Sequence, residues 1–550
     1  MPAGTRPALV LATRVCCRHA ERGGRRDPCR APHDEVARLA AGGTAGLYRL
    51  GAGAEGLPTQ PVATGAREAR GDALRQRLRG ARALETARPG IGLWQRRMTP
   101  GPTPEVCLLS HEAPDLDPPD RPRRSGPPAA SCGRRRACEP PASLLPSGPR
   151  SITTHGATME LSRLKVQSYE LPTVIKHGVG ALAAVGEEAA ALGIRRPLLV
   201  TDKGMVATGH VDRAATLLAA QGLEPATFDG VVGNPSIHHV ARGSEAYRDH
   251  RADGMVALGG GSSMDTAKAI GVEVAHGGRI LDYEYGHTPL TRRIPPLVAV
   301  PTTSGTGSEV TLWSVITDPT RQIKFNVGGP LIGPHVALID PLLVVGLPPH
   351  LTAFTGMDAL SHAVECYTCA YAQPFTDAVA LLAIEYVGAS LRVAFANGQD
   401  VEARYKMAMA AMLAGLAYGS ESAGAVHAMA QTFGGVFDVH HGYLTGIMLA
   451  PCSEYNLMGH PEKYARIAVA LGEDVRGLST LEAARRGVAA MAALARDLEF
   501  PAFGDFTGAT PAHIPRLAKM AEADPQTIGN PRLIDARGYE KIYARLMGVA

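Results

Sequence analysis

The segment GMVALGGGSSMDTAKA, residues 254–269, decides the fold class of this chain. Residues 254–258 form a short apolar run, which is typical of a strand buried on both faces of a parallel sheet. Three glycines follow, and then a helix start that carries Ser and Asp. Because glycines admit close approach and a helix start offers free N–H groups, the segment predicts a cradle for a pyrophosphate. The spacing is not G-x-G-x-x-G, so a purely structural turn is the alternative.

Two further apolar runs predict neighbouring strands of the same sheet. Residues 197–202 are followed by a turn at Gly204 and a helix near 210–221, and residues 297–300 lead into the loop PTTSGTGSE, residues 301–309. Hydroxyls and amides at the carboxyl end of a strand lie where open α/β sheets bind ligands. Asp202 ends the first run and is a candidate for a ribose, which would favour NAD over NADP; the alternative is a helix N-cap.

After residue 347 the pattern changes from strands to helices. Pro348 and Pro349 mark a boundary, and the Ala-, Leu- and Met-rich stretches 375–396 and 402–418 predict helices packed in a bundle. The predicted fold is therefore an α/β nucleotide-binding domain with a parallel sheet at 159–347, followed by an all-α domain at 348–550.

The helical part contains a candidate metal site. In TGMDALSHAVE, residues 355–365, Asp358 and His362 are four residues apart and share one helix face. His427 supplies a further imidazole, although a single His on an apolar face is more often a core residue. Either His440 or His441 can complete the set. One carboxylate and three imidazoles suit Fe²⁺ or Zn²⁺ and leave a position for substrate.

Charge and cysteine content limit the partners. The 550-residue chain has a net charge of +4, but residues 1–158 carry 25 Arg and 14 acidic residues, +11, so the remainder carries −7. An acidic folded part argues against nucleic acid as its partner, and the lack of apolar runs of about 18 residues predicts no transmembrane helix. Cys366, Cys369 and Cys452 suit a reducing compartment, and the C-x-x-C pair is expected to be ordinary thiols.

Residues 1–158 contain no Lys, Asn or Phe and are rich in Arg, Pro, Gly and Ala. Without periodic apolar faces they are expected to be disordered. They are too long and too acidic for a transit peptide, and basic runs such as Arg134-Arg135-Arg136 are interrupted by acids and prolines, unlike a nucleic-acid-binding arm. We favour a start-site error, with the mature protein beginning at Met159.

Together the motifs resemble the iron-containing (group III) alcohol dehydrogenases, the family of lactaldehyde/propanediol oxidoreductase and 1,3-propanediol dehydrogenase. The resemblance covers 159–550 and rests on residues 259–268, 301–311, 356–365 and 427–442. It implies the fold shared with dehydroquinate synthase, with an active site in the cleft between the two domains. It also implies a homodimer or a larger homo-oligomer.

By motif position, the resemblance implies the metal ligands Asp358, His362, His427 and His441, since Gly442 follows His441 rather than His440. The cofactor-binding residues that it implies are Asp202, Asn234, Gly259, Gly260, Gly261, Ser262, Asp265, Thr302, Thr303, Thr306 and Lys324. Among them, Asn234 matches a residue near the nicotinamide and Lys324 one near the ribose.

Two positions differ from many family members. Gln431 stands where a second histidine usually follows the third ligand, and a glutamine cannot shuttle a proton. Tyr418 stands where some members have a Phe in the substrate cleft, which predicts a slightly more polar pocket.

The predicted function is that of a metal-dependent NAD(H) alcohol dehydrogenase or aldehyde reductase. Hydride would pass between the carbon of a metal-bound alcohol and nicotinamide C4, with Fe²⁺, or alternatively Zn²⁺, as the metal. Alternatives are a zinc-dependent polyol (glycerol-type) dehydrogenase, a dehydroquinate-synthase-like lyase, and a non-catalytic metal- and nucleotide-binding relative. A further alternative makes the Arg-rich segment a nucleic-acid tether. We expect a cytoplasmic enzyme with a small alcohol or aldehyde as substrate, bound neither to membranes nor to nucleic acid.

Overall fold

The computed structural model describes residues 152–154, 157–159, 167–418 and 423–549. Two short strands precede the first domain: β1, Ile152–Thr154, pairs antiparallel with β2, Ala157–Met159. The rest of the expected disordered extension lies outside the described residues.

A parallel sheet forms the centre of the first domain. Its strands are β3 Val174–His177, β4 Pro197–Asp202, β5 Ala226–Val231, β6 Gly254–Gly259, β7 Leu297–Pro301 and β10 Val336–Ile339. The six lie in the order β3-β10-β7-β6-β4-β5, and every neighbouring pair is parallel. Two further strands, β8 Trp313–Asp318 and β9 Ile323–Gly328, form a separate antiparallel pair. The three strands predicted from apolar runs are confirmed to within one residue.

Helices cover both faces of this sheet. They are α1 Val185–Ala191, α2 Lys203–Ala207, α3 His210–Ala220, α4 Ile237–Asp249 and α5 Gly261–His276. In β6, Met255 and Ala257 belong to one buried cluster, whereas Val256 and Leu258 belong to another. The strand is thus buried on both sides, which explains its uninterrupted apolar run.

The strand order places a crevice between β4 and β6. The chain passes from β4 to β5 on one side and returns to β6 on the other side of β4. Asp202 ends β4 and Gly259 ends β6, so both lie at the carboxyl edge of this reversal. Open α/β sheets bind ligands at such a point.

The chain after β10 is mostly helical, which confirms the predicted two-domain fold class. Its helices are α6 Pro349–Thr368, α7 Pro374–Ala396, α8 Val401–Tyr418, α9 Ala425–Phe437, α10 His441–Asn456, α11 Pro461–Ala470, α12 Thr480–Asp497, α13 Phe503–Thr507, α14 Ile514–Ala523 and α15 Ala536–Leu546. The first of them begins at the predicted Pro-Pro boundary. A single large apolar cluster lies between these helices.

Helix α7 is, among the described residues, the one helix that is long and apolar enough to cross a membrane by length and composition. No membrane span was expected, because the sequence has no apolar run of about 18 residues; in this helix Asp377, Glu385 and Arg392 interrupt the apolar sequence. The helix packs against α6 and α8, and Ile384 and Leu391 are fully buried. Helix α7 is therefore a packed helix of the bundle that is buried along one side, with 39% of its apolar window buried.

Candidate metal centre and nucleotide cleft

Side chains from three helices meet in one small group. Potential ligand atoms of Asp358, His427 and His441 all lie within 4.8 Å of one another. Nε2 of His427 is 4.0 Å, and Nε2 of His441 3.7 Å, from Oδ1 of Asp358. His362 lies beside them, with Nδ1 3.9 Å from Oδ2 of Asp358 and its ring 4.2 Å from that of His427. The structure therefore brings the four predicted ligand residues together, three of them most closely.

Local packing explains why His441 joins the group and His440 does not. His441 is the first residue of α10, and a Cβ on Gly442 would lie only 2.5 Å from the carbonyl oxygen of Phe354 on α6. Glycine thus lets the start of α10 contact the α6 backbone directly. His440 is exposed and packs its ring 5.5 Å from that of Phe354.

Two residues that the sequence did not single out orient the group. Glu365 accepts a hydrogen bond from Nδ1 of His427 at 2.5 Å and from the backbone N–H groups of Val426 and His427 at 2.7 and 3.2 Å. The Thr445 hydroxyl donates to Oδ1 of Asp358 at 2.9 Å. Glu365 lies two helical turns after Asp358 on the same face, a spacing that could have revealed it. Outer partners of this kind fix ring orientation and tautomer in metal sites.

Burial and neighbouring carboxylates together set the charge of the histidines. It lowers the pKa of His362 to about 4 and that of His441 well below its ordinary value, so both are neutral at pH 7. Burial also opposes charge on His427, but its hydrogen bond to Glu365 and the nearby carboxylates raise its pKa. Neutral imidazoles are the form that binds metal.

Asp358 remains ionised in this group. Its burial would raise the pKa, but the three histidines and the Thr445 hydrogen bond together lower it. Nδ1 of His362, Nε2 of His427 and Nδ1 of His441 are buried without a hydrogen-bond partner in the described part of the chain. Buried polar atoms of this kind normally have partners, so the group suits a cation with nitrogen and oxygen ligands.

One cavity joins this group to the Gly-rich loop. Its helical wall includes His362, His427, His441, Tyr418 and Gln431. Its opposite wall includes the predicted cofactor residues Asn234, Gly261, Ser262, Asp265, Thr306 and Lys324. The cleft expected from the sequence is therefore present between the two domains.

The two nucleotide loops fit closely against each other. A Cβ on Gly261 would lie 2.5 Å from the Thr306 side chain, and one on Gly260 would lie 3.2 Å from that of Thr303. The backbone N–H of Thr302 donates to the carbonyl of Gly259 at 2.9 Å. The Ser262 hydroxyl donates to the carbonyl of Gly233 at 2.8 Å. Glycines here keep the backbone at the start of α5 accessible to a ligand.

Both predicted aspartates have structural partners. Asp202 accepts from the backbone N–H of Met205 at 3.0 Å and so caps α2, while its other oxygen faces Gly259. Asp265 accepts from the Ser308 hydroxyl at 2.6 Å and from the Val315 N–H at 3.0 Å. Asp265 therefore ties α5 to the second loop and to β8, with both carboxylate oxygens engaged within the protein.

A series of hydrogen-bonded side chains, Lys324, Asn234 and Asp438, crosses the cleft. Nζ of Lys324 donates to Oδ1 of Asn234 at 2.7 Å, and Nδ2 of Asn234 donates to Oδ1 of Asp438 at 2.6 Å. Burial lowers the pKa of Lys324 to about 8. Asp438, in the turn before α10, was not predicted; its contact joins the helical domain to the loop after β5.

The two predicted cleft residues, Tyr418 and Gln431, differ in whether their polar groups are hydrogen-bonded within the described part of the protein. The Tyr418 hydroxyl accepts from Nε2 of Gln526 at 2.6 Å, and its ring lies 5.3 Å from that of His362. Gln431 follows His427 by one turn and lines the cavity, and its amide has no hydrogen-bond partner within 167–418 and 423–549. Cys366 and Cys369 are buried at the end of α6, outside the ligand group.

Family models match most of the two domains. A model described as iron-containing alcohol dehydrogenase matches residues 172–341, and one described as Fe-containing alcohol dehydrogenase family, C-terminal, matches residues 352–547. The chain belongs to the iron-containing alcohol dehydrogenase family. The resemblance predicted from its motifs is confirmed.

Individual relatives agree with this membership. The chain is 55% identical over 386 residues to choline dehydrogenase of Bacillus subtilis (strain 168), across 70% of this chain and 96% of the relative. The crystal structure of 1,3-propanediol oxidoreductase matches with a TM-score of 0.68 and 40% identity, over 70% of this chain and 100% of that one. Sulfoacetaldehyde reductase from Bifidobacterium kashiwanohense in complex with NAD+ matches with a TM-score of 0.63 and 28% identity, over 70% and 100%. This member of the iron-containing alcohol dehydrogenases is an oxidoreductase.

Proposed function

We propose that this enzyme interconverts an alcohol and its aldehyde with NAD(H) and a divalent metal, Fe²⁺ or Zn²⁺. The observation that carries the proposal is the meeting of the ligand group and the Gly-rich loop in one cavity. Hydride transfer requires the donor and acceptor carbons to be held at near contact, and a single cleft achieves this positioning.

The residues fit a metal by their chemistry. Asp358, His427 and His441 would hold it, with His362 adjacent, and three of their ring nitrogens are buried without a partner among the described residues. A bound metal of this type supplies a Lewis acid that lowers the pKa of an alcohol and polarises a carbonyl. Thr445 holds Asp358, and Glu365 holds the proton on Nδ1 of His427, so that Nε2 stays free.

The residues also fit a dinucleotide. The Gly261 backbone at the start of α5 would receive the pyrophosphate, since a side chain there would fill the space beside Thr306. Asp202, at the strand-order reversal, would accept hydrogen bonds from ribose hydroxyls and repel a 2′-phosphate, which favours NAD over NADP. The nicotinamide supplies the carbon that accepts or donates hydride.

Gln431 changes what the chain itself can do with protons. Its amide lines the cavity and can donate to or accept from a substrate oxygen or a carboxamide. It cannot carry a proton to solvent, unlike an imidazole. The substrate-side proton therefore leaves by a route other than this side chain.

Among alcohols, a choline-type amino alcohol is the substrate we favour. The support is the Bacillus subtilis relative, a choline dehydrogenase that shares 55% identity over nearly its whole length. A polyol of the glycerol type is the alternative.

The test uses the purified full chain. Its metal is quantified by plasma emission spectroscopy, and NADH formation is followed by absorbance with choline, short alcohols, diols and glycerol. We expect turnover to scale with bound iron or zinc, to disappear on chelation and to return when metal is restored. Full turnover by metal-free protein would overturn the metal assignment. Binding of NADH and metal without turnover of any alcohol would instead indicate a non-catalytic relative.

A further inference from the structure

A larger cavity of about 760 Å³ lies next to the cleft beside the ligand group. The two cavities share Trp313 and Tyr418, so these aromatic side chains line both of them. The larger cavity is also lined by Tyr285, whose ring packs edge-on at 5.0 Å from the Trp313 ring. Glu522 and Asp524 add two carboxylates to its wall. The wall of the larger cavity is therefore aromatic and acidic.

Asp524 is a half-buried carboxylate in the wall of the larger cavity, and it has few partners within the protein. Within the described residues, its side chain accepts one hydrogen bond, from the backbone N–H of Gln526 at 2.9 Å. No Lys or Arg acts on it, and the positive charge that does is that of His427 in the ligand group. Burial raises the pKa of Asp524 to about 7. A carboxylate in such a place is costly unless a cation joins it.

A neutral alcohol with a single hydroxyl, bound through its oxygen at the ligand group, would offer this carboxylate neither a charge nor a donor, whereas a cationic alcohol would offer it a positive charge. We propose that Trp313, Tyr418 and Asp524 form the binding site for the trimethylammonium group of a choline-type substrate, an inference that rests on the proposed function. Aromatic faces attract quaternary ammonium groups, which cannot donate hydrogen bonds, and a nearby carboxylate complements their charge.

The geometry suits so short a substrate. Two carbons separate oxygen and nitrogen in choline, so the two atoms lie at most about 4 Å apart. The head group must therefore bind directly beside the ligand group. The Tyr418 ring is 5.3 Å from that of His362 and 6.2 Å from that of His427, so its position meets this requirement.

A pair of substrates tests the inference in the unmodified enzyme. 3,3-Dimethyl-1-butanol has the shape of choline with a carbon in place of the charged nitrogen. We expect kcat/KM to be about 10-fold or more higher for choline than for this neutral analogue. Tetramethylammonium should inhibit choline oxidation competitively.

Substitutions test whether Asp524 and Trp313 cause the preference for choline over the neutral analogue. Asp524→Asn and Trp313→Leu should each lower kcat/KM for choline about 10-fold, mainly through KM, and change that for the neutral analogue less than about three-fold. Asp535→Asn is the matched control, because Asp535 caps α15 through the N–H of Gly538 as Asp524 caps its own turn, yet it does not line either cavity. It should leave both substrates unaffected.

The outcomes separate this inference from the proposed function. Equal or better turnover of the neutral analogue by the unmodified enzyme would overturn the inference and leave an alcohol dehydrogenase. Equal losses for both substrates in Asp524→Asn would also overturn it, since the role of Asp524 would then be structural. If no alcohol is oxidised at all, the proposed function itself fails.

Discussion

The two walls of the cleft are built to hold ligands in opposite ways. On the sheet side, the loops present backbone groups, and glycines keep side chains out: a Cβ on Gly261 would meet Thr306 at 2.5 Å. On the helical side, buried side chains point inward, and other side chains, Glu365 and Thr445, fix their orientation. Larger side chains on the sheet side should therefore weaken cofactor binding, and smaller side chains on the helical side should weaken metal binding.

Removing one of the proposed metal-binding residues should lower activity more than any other substitution considered below. We expect His441→Ala to lower kcat about 1000-fold or more, ~4 kcal/mol of transition-state stabilisation, because the variant lacks one of the three residues that would hold the metal. NADH binding, measured by fluorescence, should persist. His440→Ala is the control, since the His440 ring packs on Phe354 and not on the group. Similar losses in both variants would contradict the assignment of His441.

Adding an atom on the sheet side should have the next largest effect. Gly261→Ala places a methyl group against Thr306, and we expect NAD affinity to fall roughly 10- to 100-fold with metal content unchanged. Calorimetric titration with NADH measures this. Gly346→Ala adds the same atom where nothing lies within 4 Å and should bind NADH normally. Unchanged affinity in Gly261→Ala would argue against the pyrophosphate cradle.

A change to an orienting residue should cost less than loss of a ligand. Glu365→Gln keeps the shape but removes the charge beside Nδ1 of His427. We expect metal affinity, measured by competition with a chelator dye, to fall at least about 10-fold. Glu385→Gln, at an exposed position on α7, provides the comparison. An Glu365→Gln variant with normal metal affinity would show that backbone contacts alone orient the ring.

Breaking the bridge between the walls should have the smallest effect. Asp438→Ala removes one acceptor from Asn234, an exposed hydrogen bond worth about 1 kcal/mol. We therefore expect KM for NAD to rise about five-fold, with kcat nearly unchanged in steady-state assays. A loss of kcat beyond ten-fold, roughly 1.4 kcal/mol, would mean that this contact controls closure of the cleft.

Much of the fold could be predicted because its signals are local. The strands that end at Asp202 and Gly259 are short apolar runs, and the Asp358–His362 pair is visible from its helical spacing. The choice of His441 over His440 depended on Gly442, which the structure explains by its contact with Phe354.

The orienting contacts could not be predicted because they join distant parts of the chain. Glu365 and His427 are 62 residues apart, Asp358 and Thr445 are 87 apart, and Asn234 and Asp438 are 204 apart. The cofactor role expected for Asp265 also depends on tertiary packing, since its carboxylate is already bonded to Ser308 and Val315. The domain limits 159–347 and 348–550, a homo-oligomeric state and a cytoplasmic location remain predictions.

The carboxylate of Glu365 caps the start of helix α9 and also fixes the orientation of the His427 ring. It accepts hydrogen bonds from the second and third amides of α9 and from the imidazole of His427, so a half-turn of that ring about its Cβ–Cγ bond would lose the bond to Nδ1 while the helix start keeps its two bonds. The group that caps the helix thereby also sets the orientation of the ring. The choice of tautomer at His427 is accordingly made when the chain folds, before any ligand arrives.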